Sequence, residues 1–431
     1  MNFLNPGEKI KKIRKYLKMN QEELQDECIS RGLISMIEIG KRALTKDVEI
    51  KLVEKFRLKA KELNISLDID EKYLLRSSSE DAELYCIEKL EKAEKSDDIE
   101  DVFEIASKFN LLNVKALFYA KKADFNMSDK DYDTAFINYN EAIIIDQVIN
   151  HYEKFPYLYW KIGLCKAEES QYSDALSYFN ICEHYSIMYK DLELRNKVLY
   201  DIALCYEKLD KLELALECLD KYLFLTREEK ENNVYYYVNM LKANCYEEMG
   251  KYDSAIEIYN CLYKKLAESD SLLGYVYNNL GSIYFDKSDF ETSLYYFEKA
   301  ENIRRVIDKE HLCYTLMEKS KIFIKQHLYG KAIETIKSGL NYANIYKDYD
   351  CLLKCYHNLL RIYGSTDNIS NLKKTYMSII EVLKEINNYD ELVSAYVKLA
   401  LIYLNENDIE NARYYLTLAQ NKGSENHEKE T

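Results

Sequence analysis

The chain of 431 residues is too long for one ordinary hydrophobic core, so several domains or a repeat array are expected. Only 2 prolines and 11 glycines interrupt it, which favours helices with short connections and leaves no segment that needs a β-strand. Its net charge of −14 argues against a chain that is coated with nucleic acid along its whole length.

The charge is distributed unevenly along the chain. Residues 1–66 contain 15 Lys and Arg against 10 Asp and Glu, a net charge of +5, which leaves −19 for the remainder. Only this basic head has the sign that a phosphate backbone attracts. We therefore expect any nucleic-acid contact to lie within residues 1–66, and another role for the acidic body.

The sequence also indicates the compartment. The start Met1-Asn2-Phe3 lacks the basic-then-apolar run of a signal peptide, and no apolar stretch of about 18 residues follows. We expect a cytoplasmic protein with reduced cysteines and no membrane partner. Cys351 and Cys355 have no CxxC pair or histidine cluster beside them, so we expect no metal site and no cofactor. Without a phosphate loop or nucleophile elbow, the chain is not expected to be an enzyme.

Five helices are predicted in the head. The first covers Gly7–Lys18, where apolar residues repeat with helical spacing. The second covers Gln21–Cys28 and begins with Asn20 as its N-cap. The apolar face of the first helix consists of Ile10, Ile13 and Leu17.

The third helix is predicted from Arg31 to about Ile39, with Ser30 as its N-cap and Gly40 as a left-handed C-terminal stop. Its inward residues are Leu33, Ile34 and Ile37. Two further amphipathic helices, Thr45–Phe56 and Arg57–Leu63, complete the predicted domain of residues 1–66. A polar linker is expected at 67–80.

The run Gln21-Glu22-Glu23-Leu24, followed by Ile34-Ser35-x-Ile37-Glu38-x-Gly40-Lys41-Arg42, resembles the phage-repressor (XRE) class of helix-turn-helix domains. The spacing from Gln21 to Glu38 is one residue shorter than is commonest in that class. The same shortening occurs in the PlcR and NprR regulators, so it sharpens the resemblance. It implies that the head binds double-stranded DNA.

In that class the third helix enters the major groove by its N-terminal end. The candidate DNA-binding residues are Gln21, Ser30, Arg31, Ser35, Lys41 and Arg42. Arg31 is the best candidate for reading a base, because its guanidinium can make two hydrogen bonds to guanine, whereas Glu38 is expected to serve the fold. For Lys9, Lys11 and Lys12, phosphate contact and simple solvation of a helix face are both open.

A repeated pattern follows the predicted linker. A small or apolar anchor residue is usually followed by an aromatic residue at +3, a small residue at +12 and a large apolar residue at +16, as in Ala203, Tyr206, Ala215 and Leu219. The anchors are Gly163, Ala203, Ala243, Gly281, Ser320, Leu360 and Ala400, a period of 38 to 40. This is the tetratricopeptide pattern of antiparallel helix pairs, lengthened from its usual period of about 34. Cys165, Cys205 and Cys245 occupy one equivalent position and are expected to be small core residues.

The predicted array has about nine helix pairs over residues 81–422, with a polar tail at 423–431. One further pair is visible at Ala120, Ala135, Tyr139 and Ala142, with a longer turn at Asn126–Asp129, and residues 81–109 form a leading pair. The fold class is therefore all-α: a five-helix helix-turn-helix domain followed by a right-handed superhelical tetratricopeptide solenoid.

The first helix of each pair lines the concave groove of such a solenoid, and these grooves bind extended peptides or partner helices. The candidate peptide-binding residues are Tyr237, Asn244, Asn278, Asn279, Ser282, Lys354, Asn358 and Arg361, and His357 is also expected to face the groove. An asparagine amide can both donate to and accept from a peptide main chain. As alternatives, these asparagines are merely solvated, and Lys354 and Arg361 pair with acidic neighbours instead of a peptide carboxylate.

Head, acidic body and lengthened repeats together resemble the RRNPP-type quorum-sensing regulators, the group that includes PlcR and NprR. The run Tyr277–Gly281 is similar to the asparagine-bearing helices by which that family holds signalling peptides. The resemblance implies a transcription regulator in which a short peptide rearranges a homodimer or higher assembly, bound to paired DNA half-sites. Two alternatives stay open. The repeats sequester a response regulator or another protein, or the chain is a scaffold whose head has lost DNA binding. Region 83–142 shows no obvious catalytic glutamine for dephosphorylation.

Overall fold

The computed structural model describes residues 3–67, 69–70, 72–227, 233–267 and 270–427, without the side chains of 422–427. It divides into two compact units, Met1–Glu228 and Glu229–Thr431. Every regular element in these described ranges is helical, and the head is followed by helix pairs, as predicted. Residues 423–427 of the predicted polar tail continue the last helix, and 428–431 lie outside the described residues.

The head contains α1 (Pro6–Tyr16), α2 (Arg31–Glu38) and α3 (Lys46–Glu62). Asn5 and Glu8 form a capping box at the start of α1. Gly7 allows close contact between α1 and α2, because a Cβ there would lie 2.0 Å from the carbonyl oxygen of Ile37. The core of the head includes the predicted face of α1 and the inward residues of α2: Ile10, Ile13, Leu17, Ile34 and Ile37.

Three helices replace the five that were predicted in the head. The expected second helix, Gln21–Cys28, is not helical, because the Asp26 carboxylate accepts the backbone N–H groups of Cys28 and Ile29, both at 2.8 Å, and closes a turn. The predicted helices Thr45–Phe56 and Arg57–Leu63 are one continuous helix, α3, since neither glycine nor proline separates them.

The predicted linker also differs from the structure. Ile69 and Leu74 are buried in the core of the head, which thus extends beyond residue 66. Arg76 pairs with Asp70 at 2.6 Å and with Asp81 at 2.8 Å. A capping box then opens α4 (Ser78–Lys92). Residues 69–70 and 72–77 pack on the head, because they carry apolar side chains among the polar ones that suggested a linker.

After α4, the described part of the first unit continues with seven helices and two 3-10 turns. They are a 3-10 turn at Ser96–Ile99, α5 (Glu100–Lys108), α6 (Leu112–Ser128), α7 (Tyr132–Val148), a 3-10 turn at Tyr152–Lys154, α8 (Phe155–Glu168), α9 (Tyr172–Tyr189), α10 (Leu192–Lys208) and α11 (Leu212–Leu225). The α4 and α5 helices form the predicted leading pair, and α6 to α11 form three longer antiparallel pairs.

The described part of the second unit consists of five pairs. They comprise α12 (Asn233–Glu248) with α13 (Tyr252–Lys265), α14 (Leu272–Asp286) with α15 (Phe290–Ile307), α16 (Leu312–Lys325) with α17 (Tyr329–Tyr346), α18 (Tyr349–Ser365) with α19 (Ile369–Glu385), and α20 (Tyr389–Asn405) with α21 (Ile409–His427).

The backbone repeats with the period that the sequence predicts. Inside each pair from α6 to α21, the first helix is followed by a residue with positive φ: Lys130, Ser170, Asp210, Gly250, Ser288, His327, Asp367 and Asn407. From Ser170 onward each lies seven residues after the predicted anchor. Lys130 therefore assigns the anchor of its pair to Ala123, which is buried and twelve residues before Ala135, and not to Ala120. The predicted longer turn at Asn126–Asp129 is wrong, because α6 continues to Ser128.

Small anchors allow the two helices of a pair to approach closely. A Cβ at Gly163 would lie 2.4 Å from the ring of Phe179, and one at Gly281 would lie 2.8 Å from the ring of Phe297. Both rings occupy the +16 position. Cys165 and Cys205 are buried, and burial raises the pKa of each thiol to about 12, so they are protonated core residues as predicted.

Candidate functional site

The N-terminal end of α2 forms an exposed surface on the head. Ser30 caps the helix, because its hydroxyl oxygen accepts the N–H of Leu33 at 3.2 Å. The side chain of Arg31 is 62% exposed and pairs with Glu22 at 3.0 Å. Gly40, with φ of +73°, ends the segment as predicted, and Lys41 and Arg42 after it are exposed. An exposed ion pair contributes little, so Arg31 can leave Glu22 at small cost.

Glu38, the last residue of α2, is buried and accepts charge-assisted hydrogen bonds. Arg14 donates from Nε and Nη2 to the two carboxylate oxygens of Glu38, at 2.6 and 2.8 Å. Gln21 donates from Nε2 to Glu38 at 2.8 Å. Burial opposes ionisation, but these hydrogen bonds prevail and hold the pKa of Glu38 below its ordinary value. Glu38 thus serves the fold, as predicted, and it fixes the orientation of the Gln21 amide at the side of α2.

The structure corrects both alternatives for Lys9. Its side chain is 1% exposed, and Nζ donates to the carbonyl oxygens of Tyr73 and Arg76, at 2.8 and 2.7 Å, and pairs with Asp81. Lys9 therefore joins α1 to the start of α4. A signal existed in the sequence: four residues before Ile13, Lys9 lies on the apolar stripe of its helix. Lys11 and Lys12 are exposed.

Five of the eight candidate peptide-binding residues line one cleft in the second unit. The cleft has a volume of about 630 Å³, and the first helices of four successive pairs, α12, α14, α16 and α18, supply its walls. The lining residues are Glu247, Asn278, Ser282, Phe285, Asp286, Tyr314, Met317, Glu318, Lys321, Lys354, His357, Asn358 and Arg361. Tyr237, which is 45% exposed, is not among them.

Two of the remaining candidates form a hydrogen-bonded cluster. Asn279 donates from Nδ2 to Asn244 Oδ1 at 3.1 Å and to Tyr259 Oη at 2.8 Å, and the Tyr259 hydroxyl donates to Asn244 Oδ1. Tyr259 is fully buried, so the cluster anchors both amides to the core. Asn244 Nδ2 and Asn279 Oδ1 take no part in these bonds. One donor and one acceptor thus have fixed positions on neighbouring first helices.

Asn278 is oriented by a second buried chain of hydrogen bonds. Its Oδ1 accepts from the hydroxyl of Thr315 at 3.0 Å, and that hydroxyl accepts from Arg304 Nη1 at 2.8 Å. The same Nη1 donates to the carbonyl oxygen of His311 at 2.8 Å. Arg304 extends from α15 to the start of α16 and holds the acceptor end of the Asn278 amide on the protein. The Nδ2 donor of Asn278 makes none of these bonds.

Asn358 differs from the other asparagines of the cleft. Its side chain is 6% exposed, and within the described residues its Nδ2 has no hydrogen-bond partner. Leaving a buried amide donor unpaired costs about 1–3 kcal/mol. An unpaired donor at the wall of a cleft is suited to a ligand carbonyl, which would supply the missing bond.

The charges of the cleft are unevenly distributed. Glu247, Asp286 and Glu318 lie on α12, α14 and α16 with one cation, Lys321, among them, whereas α18 presents Lys354 and Arg361. Burial, together with Asp286, Glu248 and Glu318, raises the pKa of Glu247 to about 7.

Sequence reasoning missed the acidic residues of the cleft. The signal for Glu318 was its repeat position, two residues before an anchor, which it shares with Asn279 and Asn358. On the opposite wall, Lys354 pairs with Asp350 at 2.6 Å, as one of the alternatives proposed. No group of metal-ligating side chains occurs among the residues that the structure describes. Nor is any helix in those ranges long and apolar enough to cross a membrane.

Two family models match the chain. The helix-turn-helix model matches residues 10–63, and the tetratricopeptide-repeat model matches residues 197–227, 236–260, 274–306 and 393–421. Both describe binding modules and neither describes a catalytic domain. The apo form of the quorum sensor NprR from B. thuringiensis is similar in structure, with a TM-score of 0.50 and 21% identity, over 80% of this chain and 99% of that one.

The chain therefore shares the fold of that protein, a helix-turn-helix head followed by tetratricopeptide pairs. Among curated proteins, the transcriptional activator NprA of Geobacillus stearothermophilus is 23% identical over 57% of the chain and 63% of its own length. A TPR repeat-containing protein of Methanocaldococcus jannaschii is 25% identical over 68% of the chain and 52% of its own length. The chain thus spans less than two thirds of the length of either curated relative.

Proposed function

We propose that the chain is a DNA-binding transcription regulator that responds to a short signalling peptide. The head binds double-stranded DNA through the N-terminal end of α2, and the peptide binds in the cleft on α12, α14, α16 and α18. Peptide binding controls DNA binding by rearranging a homodimer or higher assembly, in the cytoplasm.

The cleft carries this proposal. It brings Asn278 and Ser282 of α14 together with Asn358 of α18, which is far from them in sequence, and with cations on one wall. An extended peptide presents a carbonyl and an N–H at each residue, so it needs fixed donors and acceptors at intervals. Within the cleft, the anchored amide of Asn278 provides one such group, and the unpaired donor of Asn358 adds a position that is incomplete without a ligand.

The names of the relatives point in the same direction. NprA is a transcriptional activator and NprR is a quorum sensor. For the head, support comes from the exposed Ser30 and Arg31 at a helix N-terminus and from Lys41 and Arg42 just beyond its end. In helix-turn-helix proteins this end of the helix contacts base edges, and a dimer reads two half-sites. A peptide changes the assembly only to the extent that it binds one arrangement more tightly than the other.

The DNA half of the proposal is tested by selecting duplexes from a random pool with the full-length protein. We expect enrichment of two related half-sites, and we expect Arg31→Ala to lower affinity for the selected site about tenfold or more, because a bidentate guanine contact contributes about 1–3 kcal/mol. Lys61→Ala, which removes an exposed cation from α3 and not from α2, is the matched control. Equal affinity of the Arg31 and Lys61 variants would remove Arg31 from base reading.

The peptide half is tested with a synthetic library of random short peptides, equilibrated with the immobilised full-length protein and read by mass spectrometry. We expect a related set of peptides to be enriched and then to change the affinity for the selected DNA. If no peptide is enriched over blank support, the proposed peptide sensor is wrong. Peptide binding without any selected DNA would instead favour the alternative in which the repeats sequester a protein.

A further inference from the structure

The acidic wall of the cleft has too little compensating positive charge of its own. Glu247 is half-buried, and the carboxylates of Asp286 and Glu318 act on it through space. Among the described residues, the ion pair recorded for this wall is Lys321 with Glu318, at 2.5 Å. Three carboxylates, of which Glu247 and Glu318 are half-buried and Asp286 is exposed, thus share one neighbouring ammonium group. Carboxylates of like charge repel each other unless a cation joins them.

The opposite wall has the reverse charge. Lys354 and Arg361, seven residues apart on α18, border the same cleft. Of the two, only Lys354 pairs with a carboxylate among the described residues, that of Asp350. The exposed His357 lies between them. A ligand that lies across the cleft would therefore meet negative charge at α12, α14 and α16 and positive charge at α18. Complementary charges at the two ends of a ligand fix its direction in a site.

Building on the peptide site proposed above, we propose that Glu247, Asp286 and Glu318 bind a cationic group of the peptide and so fix its direction in the cleft. The cation is an ammonium or guanidinium group, supplied by the amino terminus or by a Lys or Arg side chain. The carboxyl terminus then lies toward Lys354 and Arg361. Asn358, whose buried Nδ2 lacks a partner in the same cleft, donates to a main-chain carbonyl between the two ends.

Physical reasons favour a cation here over a neutral group. Glu247 is half-buried in the wall of the cleft, so an ion pair there is stronger than the same pair in bulk solvent. The cation also removes the repulsion between Glu247 and its acidic neighbours, an energy that a neutral ligand leaves in place. A peptide with a free amino terminus or a basic residue near one end therefore gains relative to an uncharged peptide of the same length.

The test uses the random peptide library, with half of its members acetylated at the amino terminus, and the full-length protein. We expect wild-type protein to enrich cationic peptides about tenfold or more over uncharged ones. A preference for unacetylated members would assign the cation to the amino terminus, and enrichment of Lys or Arg irrespective of acetylation would assign it to a side chain. The double variant Glu247→Gln, Glu318→Gln should lose this enrichment.

Glu334→Gln is the matched control, because Glu334 is an exposed acid on α17, the second helix of its pair. It should leave the enrichment unchanged. Circular dichroism of the double variant checks folding, which glutamine should preserve since it removes repulsion without changing shape. Peptide enrichment that shows no preference for cations, or a preference that the double variant retains, would overturn this inference and leave the peptide site standing. No enrichment at all would instead overturn the peptide site itself.

Discussion

The head and the cleft differ in whether their buried polar groups have hydrogen-bond partners. In the head, Lys9 has two carbonyl oxygens and the carboxylate of Asp81 for its three N–H groups, and Glu38 accepts from both Arg14 and Gln21. In the cleft, the Nδ2 of Asn358 has no partner within the described residues. Both regions bury polar atoms in a helical scaffold, yet only one of them completes its hydrogen bonds.

This difference distinguishes polar groups that stabilise the fold from polar groups that are available to bind a ligand. A buried polar group with all its partners holds helices together, and removing it leaves those partners unpaired. A buried polar group without a partner costs stability, and it contributes only when a ligand completes the bond. The head network is therefore expected to fail when it is mutated, whereas the cleft is expected to tolerate mutation and lose binding.

The largest effect is expected for Lys9→Met. The change leaves the carbonyls of Tyr73 and Arg76 and the carboxylate of Asp81 without their shared donor, and breaking such a buried pair costs about 3–5 kcal/mol. Hydrogen exchange of α1 and α3 amides in the full-length protein measures the loss. Lys11→Met, on the exposed face, should stay within about 0.5 kcal/mol of wild type. Similar protection in the two variants would refute a structural role for Lys9.

Adjacent residues of α14 provide the next comparison. Gly281→Ala puts a Cβ 2.8 Å from the ring of Phe297 and should destabilise the second unit by about 1–3 kcal/mol. Ser282→Ala, one residue later and facing the cleft, should change stability by less than about 0.5 kcal/mol. Thermal unfolding followed by circular dichroism distinguishes them. Equal melting temperatures would contradict the assignment of these two faces.

Two asparagines at the same repeat position should respond in opposite directions. Asn279→Leu removes bonds to Asn244 and Tyr259, and we expect a loss of about 1–3 kcal/mol in the free energy of unfolding. Asn358→Leu removes an unpaired amide and fills its space with a side chain of similar size, so stability should stay equal or rise slightly. Urea denaturation of both variants measures the contrast, and a marked loss with Asn358→Leu would show that this amide has a structural partner.

The smallest effect concerns pH. Burial and the neighbouring acids Asp286, Glu248 and Glu318 raise the pKa of Glu247 to about 7, while Lys321 is the cation beside them. Because the folded protein holds this proton more tightly than the unfolded chain, the contribution of Glu247 to stability is greatest below pH ~4.5 and falls as pH rises toward about 7. Glu247→Gln should remove this component, on the order of 1 kcal/mol, so its advantage over wild type grows across that window. Parallel pH profiles of the two proteins would contradict the raised pKa.

Much of the fold could be predicted from spacing alone. The anchors from Gly163 to Ala400 predicted where each first helix turns, because small residues must recur wherever two helices cross closely, as Gly281 and Phe297 do. Competition between a helix cap and a nearby turn for the same backbone N–H groups was harder to predict. The capping residues Asn20 and Glu23 do bond to each other, but the Asp26 carboxylate then captures the next N–H groups and ends the turn.

The candidate site could be predicted less completely. Repeat position indicated which residues would face a cleft, so Asn278, Ser282 and Asn358 were found. It could not show which amides are paired, since the partners Thr315 and Tyr259 come from other helices. The role of Lys9 depends on Asp81, 72 residues away, and no local pattern shows that pairing.

The affinity of an enriched library peptide for wild-type protein and for Asn358→Leu tests the central claim most directly. If the unpaired Nδ2 of Asn358 donates to a ligand carbonyl, Asn358→Leu should bind the peptide about tenfold more weakly while its free energy of unfolding is undiminished. Asn344→Leu, on the exposed face of α17, should bind as wild type does. Undiminished affinity in Asn358→Leu would contradict the account.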